Sequence, residues 1–124
     1  MEVRPTDSEM EILQILWSKG SCTVREVNEA LSADREEEVG YTTTLKLMQI
    51  MFEKGMVERD TSNRTHVYKA LLNPEQTKQN VLKRFINNVF NGSASELVMH
   101  ALNKKSSKEE IEEIRKYLDQ LDKK

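Results

Sequence analysis

Cysteine is almost absent from this sequence. Cys22 is the only one, so the chain can form neither an intramolecular disulfide nor a metal site built from several thiolates. A lone cysteine close to Val24 and Val27 usually behaves as a small buried hydrophobic residue. Candidate nucleophiles and acid–base groups are also few, since only Cys22, His66 and His100 stand out and nothing brings them together. The sequence therefore predicts a protein that is not an enzyme and needs no cofactor or metal.

Long hydrophobic runs are missing as well. No stretch approaches the roughly 18 consecutive apolar residues that a membrane-spanning helix needs. The N-terminal segment MEVRPTDSEM lacks the apolar core of a signal peptide. We therefore expect a cytoplasmic protein that does not insert into a membrane.

A strong excess of positive charge, the usual mark of a nucleic-acid binder, is also lacking, because the formal net charge is −2. The distribution is more informative than the total. Residues 1–72 hold 9 Lys and Arg against 13 Asp and Glu, and residues 73–124 hold 10 against 8. The acids concentrate in Asp34 to Glu38, whereas residues 39–72 hold five basic side chains against three acidic ones. With 124 residues, 37% of them hydrophobic, the chain suits one domain or a small domain with an attached module.

Two capping boxes predict the first two helices. Thr6 with Glu9 precedes a run of apolar residues at helical spacing that Gly20 ends, and Thr23 with Glu26 opens a shorter second helix. The apolar faces consist of Met10, Leu13, Leu16 and Trp17 in the first helix and Val24, Val27 and Leu31 in the second.

After the acidic loop, a third helix is predicted from about Tyr41 to Lys54, with Gly55 as its stop. Two β-capable runs then flank the polar turn Thr61-Ser-Asn-Arg64, which predicts a two-stranded hairpin. Three helices followed by a hairpin are the order of a winged helix-turn-helix, whose second motif helix lies in the DNA major groove. We therefore predict a mainly α fold with a small β-hairpin, in which residues 1–72 form a winged helix-turn-helix DNA-binding domain.

The third helix opens with three threonines, although each costs a few tenths of a kcal/mol in a helix relative to alanine. The helical template places Thr44, Leu47, Met48 and Met51 toward the core, and a face through Leu45, Met48 and Phe52 fits nearly as well. Short hydroxyl groups at a helix N-terminus permit close approach to phosphates and base edges. The face opposite the core consists of Thr42, Thr43, Lys46 and Gln49. An ordinary solvated helix face explains these polar side chains as well as DNA contact does.

Residues 73–124 predict a three-helix dimerisation module. Asn73 and Pro74 open the first of these helices, and Ser107 with Glu110 caps the last. The helices are amphipathic and lack a second layer, which favours pairing with a second copy; folding back on the winged domain is the alternative. The apolar residues assigned to the dimer interface are Val81, Leu82, Phe85, Ile86, Val89, Phe90, Leu97, Val98, Leu102, Ile111, Ile114, Leu118 and Leu121.

Four segments carry a family resemblance: TDSEMEILQILW, YTTTLKLMQIMFEKGMVERD, NRTHVYKAL, and the stretch from FINNVFNGSASELV to SSKEEIEEIRKYLDQL. In them the chain resembles the penicillinase-repressor and methicillin-resistance-repressor family, which also includes copper-responsive repressors. The most specific features are the tryptophan closing the first helix, the Tyr-Thr-Thr opening of the third, the following Gly-x-Val-x-Arg, and the acidic last helix. The resemblance implies a homodimeric bacterial repressor that binds a palindromic operator in double-stranded DNA.

The resemblance also implies residue roles. Thr42, Thr43 and Lys46 match DNA-facing positions of the family's recognition helix, and Asn63 with Arg64 matches its wing. Ile50 departs from the family, whose members often carry a basic residue there; one phosphate contact fewer lowers the salt slope of DNA binding by about one unit. The full set of predicted DNA contacts is Tyr41, Thr42, Thr43, Lys46, Gln49 and Lys54 on the helix and Arg59, Asn63 and Arg64 on the wing.

Regulation is implied by the resemblance alone. In penicillin-resistance members a membrane sensor metalloprotease triggers cleavage of an Asn-Phe bond in the helical module. That bond aligns with His100-Ala101, and no Asn-Phe pair occurs here, so proteolytic induction is a hypothesis about the segment from Asn91 to Lys104. Copper-responsive members carry paired cysteines near the C-terminus, whereas this chain ends LDQLDKK, which argues against copper sensing through thiolates.

The alternative function is a protein-interaction module on the same winged scaffold. A fold alone does not guarantee DNA binding, and the net charge is acidic. A steep salt dependence and a preference for operator over random DNA distinguish a repressor from such a module.

Overall fold

The computed structural model describes residues 4–33 and 35–123. Asp34 of the predicted acidic loop therefore lies outside the described residues. The helices are α1 (Asp7–Lys19), α2 (Val24–Ser32), α3 (Tyr41–Glu53), α4 (Pro74–Val89), α5 (Ala94–Ala101) and α6 (Lys108–Asp122). The strands are β1 (Cys22–Thr23), β2 (Val57–Asp60) and β3 (Val67–Ala70). Within the described ranges, no helix has both the length and the apolar character to cross a membrane.

The predicted capping boxes are both confirmed. The hydroxyl of Thr6 accepts a hydrogen bond from the backbone N–H of Glu9 at 3.2 Å, and the Glu9 carboxylate accepts one from the N–H of Thr6 at 2.8 Å. Thr23 and Glu26 repeat the arrangement at 3.1 and 2.9 Å. Gly55 follows α3 with φ of 81°, a left-handed conformation that suits glycine. Local capping chemistry thus fixes where α1 and α2 begin and where α3 ends.

The sheet has three antiparallel strands in the order β1-β3-β2, rather than the predicted two. β3 is central, so Tyr68 lies opposite Cys22 on one side and opposite Arg59 on the other. The prediction missed β1 because two residues are too few to show strand alternation. Three helices followed by a hairpin, with one short strand between α1 and α2, form the predicted winged helix-turn-helix.

The core of this domain lies between α1, α2, α3 and the sheet. On α3, Thr44, Met48 and Met51 are buried, Leu45 and Leu47 are partly buried and pack against the core, and Phe52 is 37% exposed. The structure therefore favours the first of the two predicted faces. The buried apolar residues are Ile12, Leu13, Leu16, Cys22, Val24, Val27, Met48, Met51, Met56, Val57 and Tyr68.

Trp17 connects α1 to the chain that follows the sheet. Its indole N–H donates a hydrogen bond to the backbone carbonyl of Leu72 at 3.0 Å. The ring is partly buried against the core. The end of the hairpin is thereby held against the first helix.

By contact density the chain separates into two compact units, Met1–Val81 and Leu82–Lys124. The boundary between them falls within α4, and the functional division after residue 72 stays a prediction. In the second unit, the described apolar side chains include none that is fully buried. Phe90 contacts the ring of Phe85 edge-on at 5.8 Å between centroids and that of His100 at 5.2 Å. The large exposed apolar side chains there are Leu82, Phe85, Val89, Val98, Met99, Tyr117, Leu118 and Leu121.

Candidate nucleic-acid interface

The exposed face of α3 carries three of the predicted DNA contacts. Thr42, Lys46 and Gln49 are all exposed. At about 100° per residue they lie on the side of the helix opposite the buried Thr44 and Met48. Three polar side chains of different reach thus face away from the core along the first two and a half turns.

Tyr41 and Thr43 are also exposed, but they lie on opposite flanks of that face. Tyr41 is directed toward the hairpin, where it lines a cleft with Arg64. Thr43 lines a smaller cleft of about 100 Å³ with Leu31 and Arg35, on the side of α2. The run of three threonines therefore divides into one that faces outward, one on a flank, and Thr44 in the core.

Among the residues that the structure describes, no side chain caps the N-terminus of α3. Gly40 occupies the N-cap position, and the first turn contains no acidic residue. The first backbone N–H groups of a helix carry partial positive charge and have no partner within the helix. This end of α3 is consequently suited to an anionic group.

A cleft of about 450 Å³ lies beside this helix end, between the start of α2 and the hairpin loop. Arg25, Arg64 and His66 line it together with the hydroxyl-bearing Thr23 and Tyr41. Of the described residues that line it, none is a carboxylate. The cleft therefore collects basic side chains from two elements that are distant in the sequence.

Arg25 is the residue of this cleft that the sequence reasoning missed, and His66 was considered only as a catalytic candidate. Arg25 is the second residue of α2, two positions after the N-cap Thr23. In a helix-turn-helix the first motif helix crosses the DNA backbone. The arginine near the start of α2 was therefore the feature of the sequence that could have indicated a DNA contact there.

The hairpin loop presents two predicted contacts at its tip. Asn63 and Arg64 are exposed in the loop between β2 and β3. The Asp60 carboxylate accepts a hydrogen bond from the backbone N–H of Ser62 at 2.9 Å. Hydrogen bonds from Ser62, and to a smaller degree the nearby His66, lower the pKa of Asp60. Asp60 thus holds the start of the loop in a turn.

Arg59 lies on the body of the hairpin rather than at its tip. Its guanidinium carbon is 4.2 Å from the centroid of the Phe52 ring at the end of α3, a cation–π contact. Its Nε is buried and has no hydrogen-bond partner among the described residues. Arg59 therefore packs against α3 as well as carrying charge.

Lys54 is the predicted contact that the structure sets apart from the others. It follows the last residue of α3, about 20 Å along the axis from Tyr41 at 1.5 Å per residue. Its ammonium group is 3.0 Å from the carboxylate of Glu9, which is only 2% exposed. Ile50, the departure from the family pattern, is partly buried. Lys54 thus has a structural partner, and its contact with DNA stays a prediction.

The three candidate catalytic residues are divided between the two units. Cys22 is buried in β1, where burial, and secondly the charge of Glu26, raises the pKa of its thiol. His66 lines the cleft in the first unit, whereas His100 belongs to the second. Within residues 4–33 and 35–123, no group of three or more His, Cys, Asp or Glu side chains could hold a metal ion.

Comparison with known proteins identifies the family. The sequence profile of the penicillinase repressor family matches residues 5–120. The chain is 28% identical over 115 residues to the methicillin resistance regulatory protein MecI of Mammaliicoccus sciuri, covering 92% of each chain. It is 26% identical over 124 residues to the penicillinase repressor of Staphylococcus aureus, covering 99% of this chain and 97% of that protein.

A solved structure agrees with the fold. The solution structure of the DNA-binding domain of the repressor BlaI superposes with a TM-score of 0.50 at 22% identity, covering 60% of this chain and 90% of that one. At that identity the likeness concerns the fold alone. The family profile, however, spans both the winged domain and the helices after it, and the family consists of transcriptional repressors rather than enzymes. This chain belongs to the penicillinase repressor family.

Proposed function

We propose that this protein is a homodimeric transcriptional repressor whose winged domains bind the two halves of a palindromic operator in double-stranded DNA. The observation that carries the proposal is the exposed N-terminal part of α3, free of acidic side chains and next to a cleft lined by arginines. Membership in a family of DNA-binding repressors already follows from the sequence match.

α3 is proposed to enter the major groove. Thr42 reaches base edges or phosphates through its hydroxyl, and its methyl group can touch a thymine methyl. Lys46 and Gln49 extend further along the same exposed face. Tyr41 and Thr43 contact the two DNA strands that flank the groove.

The cleft is proposed to hold the DNA backbone. Arg25 approaches it from α2, and Arg64 and His66 approach it from the hairpin loop. Phosphate contacts fix the position of a protein on DNA without reading sequence. Asn63 and Arg64 at the loop tip extend these contacts toward the adjacent minor groove.

Dimerisation is proposed to occur through the second unit. Its large apolar side chains are exposed, including Phe85 at 47% and Leu121 at 61%. Apolar surface of this extent on three successive amphipathic helices favours burial against another protein surface. A second copy is the occupant we propose, because two-fold pairing presents two recognition helices to two half-sites.

Induction is proposed to act on the same unit, with a membrane sensor metalloprotease as the upstream partner. His100 and Ala101 form the exposed last turn of α5. Cleavage in this region would separate the helices that join the two copies. Loss of the dimer lowers operator affinity, because linking two binding heads raises apparent affinity by roughly 10² to 10⁴.

The test is a titration of the purified protein onto its own promoter DNA and onto random DNA of equal length, at several salt concentrations. A repressor gives a steep negative slope of log affinity against log salt and prefers promoter DNA by about 10³ or more. Flat, weak binding that is equal for both DNAs contradicts the proposal and favours the protein-interaction module. Sedimentation at the same concentrations tests the dimer independently of DNA.

A further inference from the structure

We propose that Asn28, on α2, is a positioning residue for sequence recognition: it fixes the start of α3 in the orientation that base reading requires, without contacting DNA. The inference rests on the proposed DNA-binding function and adds the device that controls selectivity. It is carried by a hydrogen-bond cluster inside the first unit.

The Asn28 side-chain amide makes two contacts with the start of the recognition helix. Its Nδ2 donates one hydrogen bond to the backbone carbonyl of Val39 at 2.8 Å and another to the hydroxyl of Thr44 at 3.0 Å. The Thr44 hydroxyl in turn donates to the carbonyl of Gly40 at 3.4 Å. One side chain of α2 thus contacts both the residue before the N-cap and the first turn of α3.

Ser32, one helical turn beyond Asn28, adds a contact to the same segment. Its hydroxyl accepts a hydrogen bond from the backbone N–H of Val39 at 3.1 Å. Both backbone polar groups of Val39 are therefore bonded to side chains of α2. The turn that leads into α3 is held by α2 at two points.

These contacts matter because α3 has no cap of its own. Gly40 offers no side chain to hold the first turn. Thr44 is fully buried, so a hydroxyl left without its partner there loses the compensation for its desolvation. α2 is itself fixed by the Thr23–Glu26 capping box and by the buried Val27. α2 therefore orients the start of α3.

The preference for promoter over random DNA should depend strongly on the orientation of α3. The affinity for DNA of any sequence should depend on it less. Base edges accept hydrogen bonds only in restricted geometries, whereas phosphate contacts depend mainly on charge. Thr42 lies two residues before Thr44 and faces outward, so a rotation of the first turn displaces it directly. Arg25 and Arg64 belong to other elements and keep their places.

The test uses neutral substitutions, so that the charge presented to DNA is unchanged. Asn28→Ala removes the donor, Thr44→Val removes the hydroxyl at nearly constant shape, and Thr44→Ser is the matched control that keeps the hydroxyl. We expect the ratio of promoter to random-DNA affinity to fall about tenfold in Asn28→Ala and Thr44→Val, the loss of one or two net hydrogen bonds. Random-DNA affinity and salt slope should stay at the wild-type values, and Thr44→Ser should retain the wild-type ratio.

Hydrogen exchange in the free protein provides the second readout. Amides of residues 44–48 should exchange faster in Asn28→Ala than in wild type, while the amides of α1 keep their protection. Unchanged selectivity in Asn28→Ala and Thr44→Val, or an equal loss in Thr44→Ser, would overturn the positioning role. A wild-type protein that fails to prefer its promoter would instead overturn the proposed function, and a loss of α1 protection would show that a variant is misfolded.

Discussion

At the scale of single residues, the two lysines of the α3 region have different surroundings. Lys46 is exposed on the outward face of the helix, and Lys54 is bonded to the buried carboxylate of Glu9. That carboxylate also accepts the capping hydrogen bond from the N–H of Thr6. One lysine is therefore available to DNA, and the other connects α3 to the start of α1.

Replacing each lysine by methionine separates these roles. Lys54→Met leaves a buried carboxylate without its cation and should lower the free energy of unfolding by about 1–3 kcal/mol. Lys46→Met should change it by less than about 0.5 kcal/mol and weaken DNA binding about tenfold or more. Urea unfolding and DNA titration measure the two quantities. Undiminished DNA affinity of folded Lys54→Met would show that the predicted Lys54 contact is wrong.

The threonines and the loop arginine provide a second residue-scale prediction. Arg64→Ala should weaken binding to every DNA alike and reduce the salt slope by about one unit, because it removes a proposed phosphate contact. Thr42→Ala and Thr43→Ala should leave the slope unchanged and alter which promoter variants are preferred. We expect the larger change from Thr42→Ala, since Thr43 lies on the flank toward α2. Competition titrations with single-base variants of the promoter measure these preferences. Unchanged preferences in both threonine variants would contradict the proposed placement of α3 in the major groove.

At the scale of elements, hydrogen bonds at the N-termini of α1 and α2 define where these two helices begin. Glu26 illustrates this, because hydrogen bonds with Thr23 lower the pKa of its carboxyl. A carboxyl whose pKa is lower in the folded protein adds stability above its unfolded pKa, and that stability disappears as the pH falls through the folded value. The cap of α2 is thus stronger at neutral than at acidic pH.

Glu26→Gln tests this contribution. The variant should be less stable than wild type at pH 7, and the difference should vanish as the pH falls through the lowered pKa of folded Glu26. Glu29→Gln, on the same helix but outside the cap, should show a smaller difference at pH 7. Thermal unfolding of the three proteins over a pH series measures the effect. A difference between Glu26→Gln and wild type that is constant with pH would contradict the role of the charge.

The same elements show how far the sequence predicts the structure. The six helices were predicted because caps and apolar spacing are local signals. β1 was missed because its two residues exist as a strand only through pairing with β3. The cleft was missed for a related reason, since Arg25 and His66 are far apart in the sequence and only tertiary folding brings them together. Thr44 resembled a DNA-facing threonine locally, and helical spacing alone assigned it to the core.

At the scale of the whole molecule, the two units have different surfaces. The first has a buried core, whereas the described apolar side chains of the second are not fully buried. On α6 the predicted interface residues Leu118 and Leu121 are 55% and 61% exposed. A second copy would cover them, and DNA affinity would then depend on protein concentration.

A charge placed on this surface should dissociate the proposed dimer. Leu118→Asp should sediment as a monomer and bind the promoter roughly 10² to 10⁴ times more weakly. Gln120→Asp adds the same charge two residues later, about 200° around the helix, and should change neither property. Analytical ultracentrifugation and DNA titration are the measurements. Dimers that persist in Leu118→Asp would place the interface elsewhere.

The hydrogen bond from Trp17 to Leu72 has an optical consequence. Trp17 is the only tryptophan in the chain and lies wholly within the first unit. Its fluorescence therefore reports the melting of the winged domain, whereas far-ultraviolet circular dichroism reports helices from both units. If the two signals change at different denaturant concentrations, the domain and the helical unit unfold in separate steps.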